Sequence, residues 1–327
     1  MSGAPADGPI VVAGASGFMG SFLVDRWRAA GREVRTIGRG AADARWGDAD
    51  GIRRALDSSA LLVNLAGRSV NCRYGPRNRA EILRSRVETT AELGRAVATT
   101  AAPPAVWVNS STATIYRHAE DRPQTESSGE LGEGFSVSVA RAWEEEFFAA
   151  VAPHTRRVAI RTAIVLGDGS ALVPLLRLAR FGLGGPQWDM PWFSTRARRE
   201  AGTQHEFRAR WGAQWFSWIH LDDVAGALDL IEARDDLDGV VNLSAPEAVT
   251  NVELMREIRR AVRMPFGLPA PRPVLEVGAW LIRTETELLL KSRWVAPERL
   301  LGAGYAFRHP RIGDAIRRIV TERGGVR

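Results

Sequence analysis

Gly14, Gly17 and Gly20 recur at a G-x-x-G-x-x-G spacing in Gly14-Ala15-Ser16-Gly17-Phe18-Met19-Gly20, near the start of a 327-residue chain. Residues without side chains let the backbone come close to a pyrophosphate, and free N–H groups at a helix N-terminus then meet its charge. Gly14, Ser16, Gly17, Phe18 and Gly20 are therefore read as a turn that binds a dinucleotide. A glycine triplet alone also marks ordinary tight turns, so its setting decides. Before it, Ile10 to Ala13 is a short apolar run of buried-strand length; after it, Phe18, Phe22, Leu23 and Trp27 recur at helical intervals. Gly31 stops that helix, and residues 33–37 form a second strand. The strand ends Thr36-Ile37-Gly38-Arg39, with no acid before Asp43. NAD sites commonly place an acid there for the ribose hydroxyl, whereas a planar guanidinium suits the 2′-phosphate. Gly38 and Arg39 thus point to NADP (NADPH).

These residues need a scaffold, and the chain supplies alternating elements. Strands are expected at 61–65, 105–110 and 157–166, with helices at 76–99 and 137–150 between them. Such alternation argues for α/β architecture with one parallel, doubly wound sheet. Ligands of such sheets bind beyond the carboxyl ends of strands. Leu65, Ala66 and Gly67 follow one strand and Ser110 lies at the end of another, so both tips should face the cofactor.

Composition excludes several other classes. Apolar residues make up 45% and charged residues 25%, an ordinary globular balance. The single cysteine, Cys72, leaves no intrachain disulfide or cysteine-based zinc site; no metal site is read. No leader-like start and no long apolar run is found, so a cytoplasmic protein without a membrane partner is expected. Basic residues number 44 against 38 acids, and Lys291 is the only lysine. The arginines are scattered, and their densest groups, 196–199 and 256–263, lack interleaved aromatics. Nucleic-acid binding is not expected.

Asn64-Leu65-Ala66-Gly67, the run Ser110-Ser111-Thr112-Ala113-Thr114-Ile115-Tyr116, and Phe216-Ser217-Trp218-Ile219-His220-Leu221-Asp222-Asp223-Val224 follow the glycine turn in order. In this combination the chain resembles the extended short-chain dehydrogenase/reductases, relatives of sugar-nucleotide epimerases and dehydratases. Residues 64–73, 82–90, 111–123 and 293–310 are similar to the atypical NAD(P)-dependent epimerase/dehydratase-like proteins that carry a C-terminal helical extension. Only 187–214 interrupts the resemblance. It implies a Rossmann-type NADP-binding domain over 1–170, with the chain returning to it at about 216–245. A smaller C-terminal α+β substrate domain would occupy 171–327.

The family works with a Tyr-x-x-x-Lys dyad, assisted by Ser or Thr and an upstream Asn, and here the chain departs from it. Tyr74, Tyr116 and Tyr305 are its only tyrosines, followed four residues later by Asn78, Glu120 and His309. Family spacing puts the dyad on Phe135 and Val139, or on Ser136 and Ala140. Thr112 matches the Ser/Thr position and is a candidate to bind a substrate oxygen. Tyr116 and His118 follow closely, His118 being able to titrate near neutral pH. Arg73 is a candidate oxyanion stabiliser. Arg86 falls on the upstream Asn position and could supply the missing positive charge, with Glu81 pairing to it or to a ribose hydroxyl. Residues 161–167 resemble the strand that meets the nicotinamide carboxamide, through backbone near Val165. Asp222 or Asp223 should cap the helix opening at 221–224. Two readings follow: an NADP(H)-dependent oxidoreductase or epimerase-like enzyme with altered acid–base groups, or a catalytically silent NADP-binding sensor or scaffold.

Residues 188–218 hold five of the 11 tryptophans, with Phe193, Phe207, Phe216 and several arginines. Three roles fit that composition. It could be an aromatic-anchored excursion, a lid for an aromatic or anionic small-molecule substrate, or an interface, for instance in a homodimer.

Overall fold

The structure, a computed structural model, describes residues 8–170, 172–281 and 285–324. Its nucleotide half begins with β1 (Ile10–Ala13), then α1 (Phe18–Ala29), β2 (Val34–Gly38), β3 (Ala44–Arg45), α2 (Ala49–Leu56) and β4 (Leu61–Asn64). It continues with α3 (Pro76–Thr99), β5 (Val106–Thr112), α4 (Phe135–Ala149) and β6 (Arg156–Thr162). The strands are continuous apolar runs because both sheet faces are covered. Ile10 and Val12 pack into one core with Leu61, Val63, Val108, Val224 and Leu228, while Val11 and Ala13 face the other, with Leu62, Trp107 and Phe147. Gly31, at φ +79°, ends α1 as expected. The β3–α2 pair was not anticipated from sequence; Asp48 caps α2 by accepting from Gly51 N at 2.9 Å.

The main sheet runs β11-β6-β5-β4-β1-β2-β3, and its strand pairs are parallel. Its order reverses between β1 and β4, which opens a crevice at their carboxyl ends. The stretch read as one strand over 157–166 is two. At Ala163 the backbone still donates to Leu243 O, but Ile164 donates to Ser217 O. The chain therefore leaves the main sheet as β7 (Ile164–Leu166) and pairs with β10 instead.

The remaining elements are α5 (Leu172–Arg180), β8 (Gln187–Trp188), α6 (Arg196–Glu200), β9 (Trp215–Phe216), β10 (Trp218–His220) and α7 (Leu221–Ala233). Then come β11 (Gly239–Leu243), β12 (Val249–Thr250), α8 (Asn251–Ala261), β13 (Ala270–Pro271), α9 (Arg272–Leu281), α10 (Glu287–Leu290), α11 (Glu298–Gly302) and α12 (Ile312–Gly324). Helix α7 and strand β11 return to the nucleotide half, where Val241 and Leu243 join its core. A separate core gathers Leu172, Leu176, Trp218, Leu254, Ile258, Ile312 and Ile316.

The tryptophan-rich stretch divides by role. Trp218 is fully buried in β10, and Trp215 stacks on Trp294 at 4.1 Å. The excursion before them is pinned by buried charge: Asp189 takes Arg272 Nη1 at 2.9 Å and the N–H groups of Phe207 and Arg208 at 2.7 and 3.0 Å. Arg272 also donates to His205 O at 2.9 Å. Anchoring thus accounts for much of the stretch, although Phe193 and Trp211 remain 90% and 67% exposed.

Burial first, and then the Arg272 charge, hold the His205 imidazole down to about 3. The unfolded chain takes a proton on this residue near pH 6.5, and the folded chain refuses it. Its share of stability is therefore complete above pH 6.5 and is lost as pH falls below it. The expected loss is about 1.4 kcal/mol per pH unit in that window. Urea midpoints of the unmodified chain should fall between pH 7 and pH 5, and His205→Gln should flatten that slope.

Candidate functional site

The glycine turn packs against the tip of β4. Gly14 has φ +84°, and a Cβ there would lie 2.9 Å from Ala66 N. A Cβ on Gly20 would lie 2.3 Å from Gly14 O, so α1 can approach the turn only at glycine. Gly17 is the N-cap of α1 and gives no side-chain cap, which leaves the first-turn N–H groups facing the crevice for an anion. Ser16, Gly17 and Phe18 are exposed around it. At the end of β2, Gly38 leads into an exposed Arg39, which has no side-chain partner among the described residues. The nearest acid is already occupied: Asp43 accepts from Thr36 N and Thr36 Oγ1 at 2.7 and 2.8 Å. Those bonds hold its carboxyl below the usual carboxylate range.

The tips of β4 and β5 are tied together by buried amides. Asn64 Nδ2 donates to Asn109 Oδ1 at 2.7 Å and to Thr90 Oγ1 at 3.2 Å, and Asn64 Oδ1 accepts from Ala66 N at 3.0 Å. This network fixes Leu65, Ala66 and Gly67 beside the glycine turn, with Ser110 buried on the neighbouring strand. Val165 lies partly buried in β7, opposite Ile219. Arg86 is pressed between Gly67 and the Trp143 ring, 5.0 Å from the ring centroid. It donates to Arg68 O and Ile82 O and meets no carboxylate among the described residues. Burial pushes its pKa down to about 10. A cation so placed fits a ribose or phosphate oxygen. Glu81 does not pair with it: on the surface of α3 it bonds Arg84 at 2.7 Å, one turn along.

The loop after β4 carries a residue the sequence reading passed over. Tyr74, 6% exposed, lays its ring against Phe135 at 5.0 Å, where family spacing puts the missing tyrosine. Next to Phe135, Ser136 Oγ donates to Glu287 Oε2 at 2.8 Å. Burial, with Glu287 close by, pushes the phenol well above its ordinary pKa. Glu285 holds the loop by accepting from Tyr74 N at 2.8 Å. The same carboxylate pairs with Arg73, which is thereby drawn into a structural contact rather than freed for an oxyanion. No spacing rule finds Tyr74, because it reaches α4 from the loop that follows β4.

The three catalytic candidates separate. Thr112 is half-buried at the end of β5, its Oγ1 accepting from Thr114 N at 3.2 Å while its O–H stays available to donate. Tyr116 is 1% exposed; its hydroxyl donates to Asn242 Oδ1 at 2.9 Å and its ring lies under Arg161. Arg161 is itself locked to Glu144 at 2.7 Å, so Tyr116 is spent on packing between sheet strands. His118 accepts from Ser292 N at 3.0 Å through Nδ1 and stacks on Phe207 at 4.7 Å. Burial lowers its pKa, favouring the neutral ring.

Helix α7 is capped differently from the sequence expectation. His220, not an aspartate, is the N-cap and accepts from Asp222 N at 3.1 Å. Asp222 bonds His309 Nε2 at 3.0 Å, and Asp223 accepts from the N–H groups of Arg308 and His309. The ligand atoms of His220, Asp222 and His309 fall within 4.8 Å of one another, an arrangement that capping and this C-terminal strap explain. No helix among the described residues is long and apolar enough to cross a membrane.

Comparison with known proteins agrees with this geometry. The profile described as NAD dependent epimerase/dehydratase family matches residues 10–152, and a domain of unknown function, DUF1731, matches 270–319. Epimerase family protein SDR39U1 of Bos taurus is 31% identical over 95% of this chain and 99% of its own length. Epimerase family protein Mb2239 of Mycobacterium bovis is 30% identical over 98% of this chain and its whole length. The solved structure of human epimerase family protein SDR39U1 (isoform2) with NADPH superposes with a TM-score of 0.80 at 28% identity, covering 96% of this chain and 99% of that one. The chain belongs to the epimerase family of NAD-dependent epimerase/dehydratase-like proteins, with a Rossmann-type nucleotide half and a DUF1731 C-terminal segment.

Proposed function

We propose that the protein is an NADPH-dependent oxidoreductase that reduces a carbonyl group on a small molecule, with Tyr74 as the proton donor. The observation that carries this reading is Tyr74 against Phe135, with Ser136 and Glu287 behind it. A phenol whose pKa is raised is protonated at neutral pH, so it can donate to an oxygen that is becoming an alkoxide. Solvent returns a proton to Tyr74 after each turnover, Glu287 holds Ser136 beside it, and Thr112 orients the substrate oxygen. Bound NADPH would supply the hydride. Its diphosphate fits the glycine turn, Arg86 suits a ribose or phosphate oxygen, and Arg39 suits the 2′-phosphate. The human relative solved with NADPH supports the same cofactor.

NADPH loss, followed by absorbance, against a panel of aldehydes, ketones, quinones and 2-oxo acids tests the reading. Consumption that disappears in Tyr74→Phe is expected. A chain that binds NADPH yet consumes none across the panel contradicts it and favours a silent binder. Cofactor choice has its own check. NADPH should bind at least about tenfold more tightly than NADH, a difference of about 1.4 kcal/mol. Arg39→Ala should erase that preference in a fluorescence titration, whereas equal affinities in the unmodified chain would refute the assignment of Arg39.

A further inference from the structure

Four cationic side chains of lysine and arginine are buried among the described residues: Arg161, Arg272, Lys291 and Arg293. Two have carboxylate partners, Arg161 with Glu144 at 2.7 Å and Arg272 with Asp189 at 2.9 Å. The other two do not. Lys291, 4% exposed, donates from Nζ to Thr114 O at 2.7 Å. Arg293, 6% exposed, donates from Nε to Thr114 Oγ1 at 3.1 Å and from Nη1 to Leu288 O at 3.0 Å. All of these acceptors are neutral, and neither cation forms an ion pair among the described residues. A buried charge without a counter-charge is costly, and two of them converging on one residue mark a place prepared for an anion.

They reach the end of a strand in the main sheet. Thr114 lies two residues beyond Thr112, past the carboxyl end of β5, where ligands of such sheets bind. Lys291 and Arg293 arrive from the C-terminal half, beside the neutral His118 ring, because Ser292 between them donates to His118 Nδ1. We propose that Lys291 and Arg293 form a subsite for a monoanionic carboxylate, so that the substrate is a carbonyl compound carrying one carboxylate. The charge count sets the valence. Glu287 is the carboxylate felt by both cations, so the three groups together leave one positive charge. The subsite rests on the reductase reading for its role, although it is defined by binding alone.

Burial, reinforced by Arg293 and partly offset by Glu287, brings the Lys291 ammonium down to about 8. An arriving carboxylate favours the charged form, so binding near pH 8 should take up a proton. Calorimetric titration of the NADP⁺-loaded full chain with benzoate, and with benzamide as its neutral isostere, reads both effects. Benzoate should bind at least about tenfold more tightly than benzamide, and its enthalpy at pH 8 should differ between buffers of unlike ionisation enthalpy. Lys291→Met should weaken benzoate by about tenfold or more and abolish the buffer dependence, while NADP⁺ affinity stays unchanged. Lys291→Arg should restore binding without proton uptake, which a merely structural lysine would not do. Equal binding of benzamide, no binding of benzoate, or an unaffected Lys291→Met would each overturn the proposal. Inorganic phosphate displacing benzoate more effectively than acetate does would overturn the monoanion assignment. Failure of the unmodified chain to bind NADP⁺ would count against the reductase reading instead, and benzoate titration of the cofactor-free chain would still test the subsite.

Discussion

Tyr74→Phe should lower kcat for NADPH oxidation by about a hundred- to ten-thousand-fold, the usual weight of a positioned proton donor. NADPH affinity should not change, because Tyr74 packs on Phe135 whereas the glycine turn is built from Gly14 to Gly20 and Ala66. Removing one hydroxyl leaves the ring packed on Phe135 and the backbone bond to Glu285 intact, so the fold should survive. Single-turnover kinetics and a cofactor titration on the same preparation separate the two quantities. Ser136→Ala should give a smaller loss, since it severs the link to Glu287 but spares the donor. A Tyr74→Phe chain with full turnover would remove the residue from the chemistry.

Asp189→Ala should cost about 3 kcal/mol of stability, because it takes the nearer of two carboxylates from a buried arginine and leaves Glu276 at 3.4 Å from Nε. Asp189 and Arg272 are 3% and 2% exposed, and the carboxylate also satisfies Phe207 N and Arg208 N. One substitution therefore weakens the hold on a buried guanidinium and strands two backbone donors together. Chemical denaturation should show a lower midpoint for the C-terminal half. NADPH binding should persist, because the residues read as holding it, from Gly14 to Arg86 with Ser110 and Val165, lie outside this pair. Loss of less than about 1 kcal/mol would show that solvent reaches the pair after all.

The nucleotide half was readable in the sequence because its determinants are local. A buried strand, a glycine turn and an amphipathic helix specify one another within the first 30 residues, and β1, α1 and α3 form as the periodicity implied. Where partners come from far along the chain, the pattern says little. The strand over 157–166 splits because its hydrogen-bond partner changes from Leu243 to Ser217. The cap of α7 falls on His220 because Asp222 and Asp223 are claimed by His309, Tyr305 and the 308–309 backbone. Arg86 was singled out from its place in the family pattern, and the structure packs it on Gly67. Tyr74, Lys291 and Arg293 were not singled out, since their bonds form only after segments 177 to 211 residues apart have docked.

The placement of Tyr74 relative to the nicotinamide is the most direct test of the account. A crystal structure of the chain with NADP⁺ bound would measure it. The account predicts the Tyr74 hydroxyl on the substrate side of the ring, about 4–6 Å from C4, leaving room for a carbonyl whose oxygen it can reach. A nicotinamide whose C4 lies more than about 8 Å from that hydroxyl, beyond one bridging group, would contradict it.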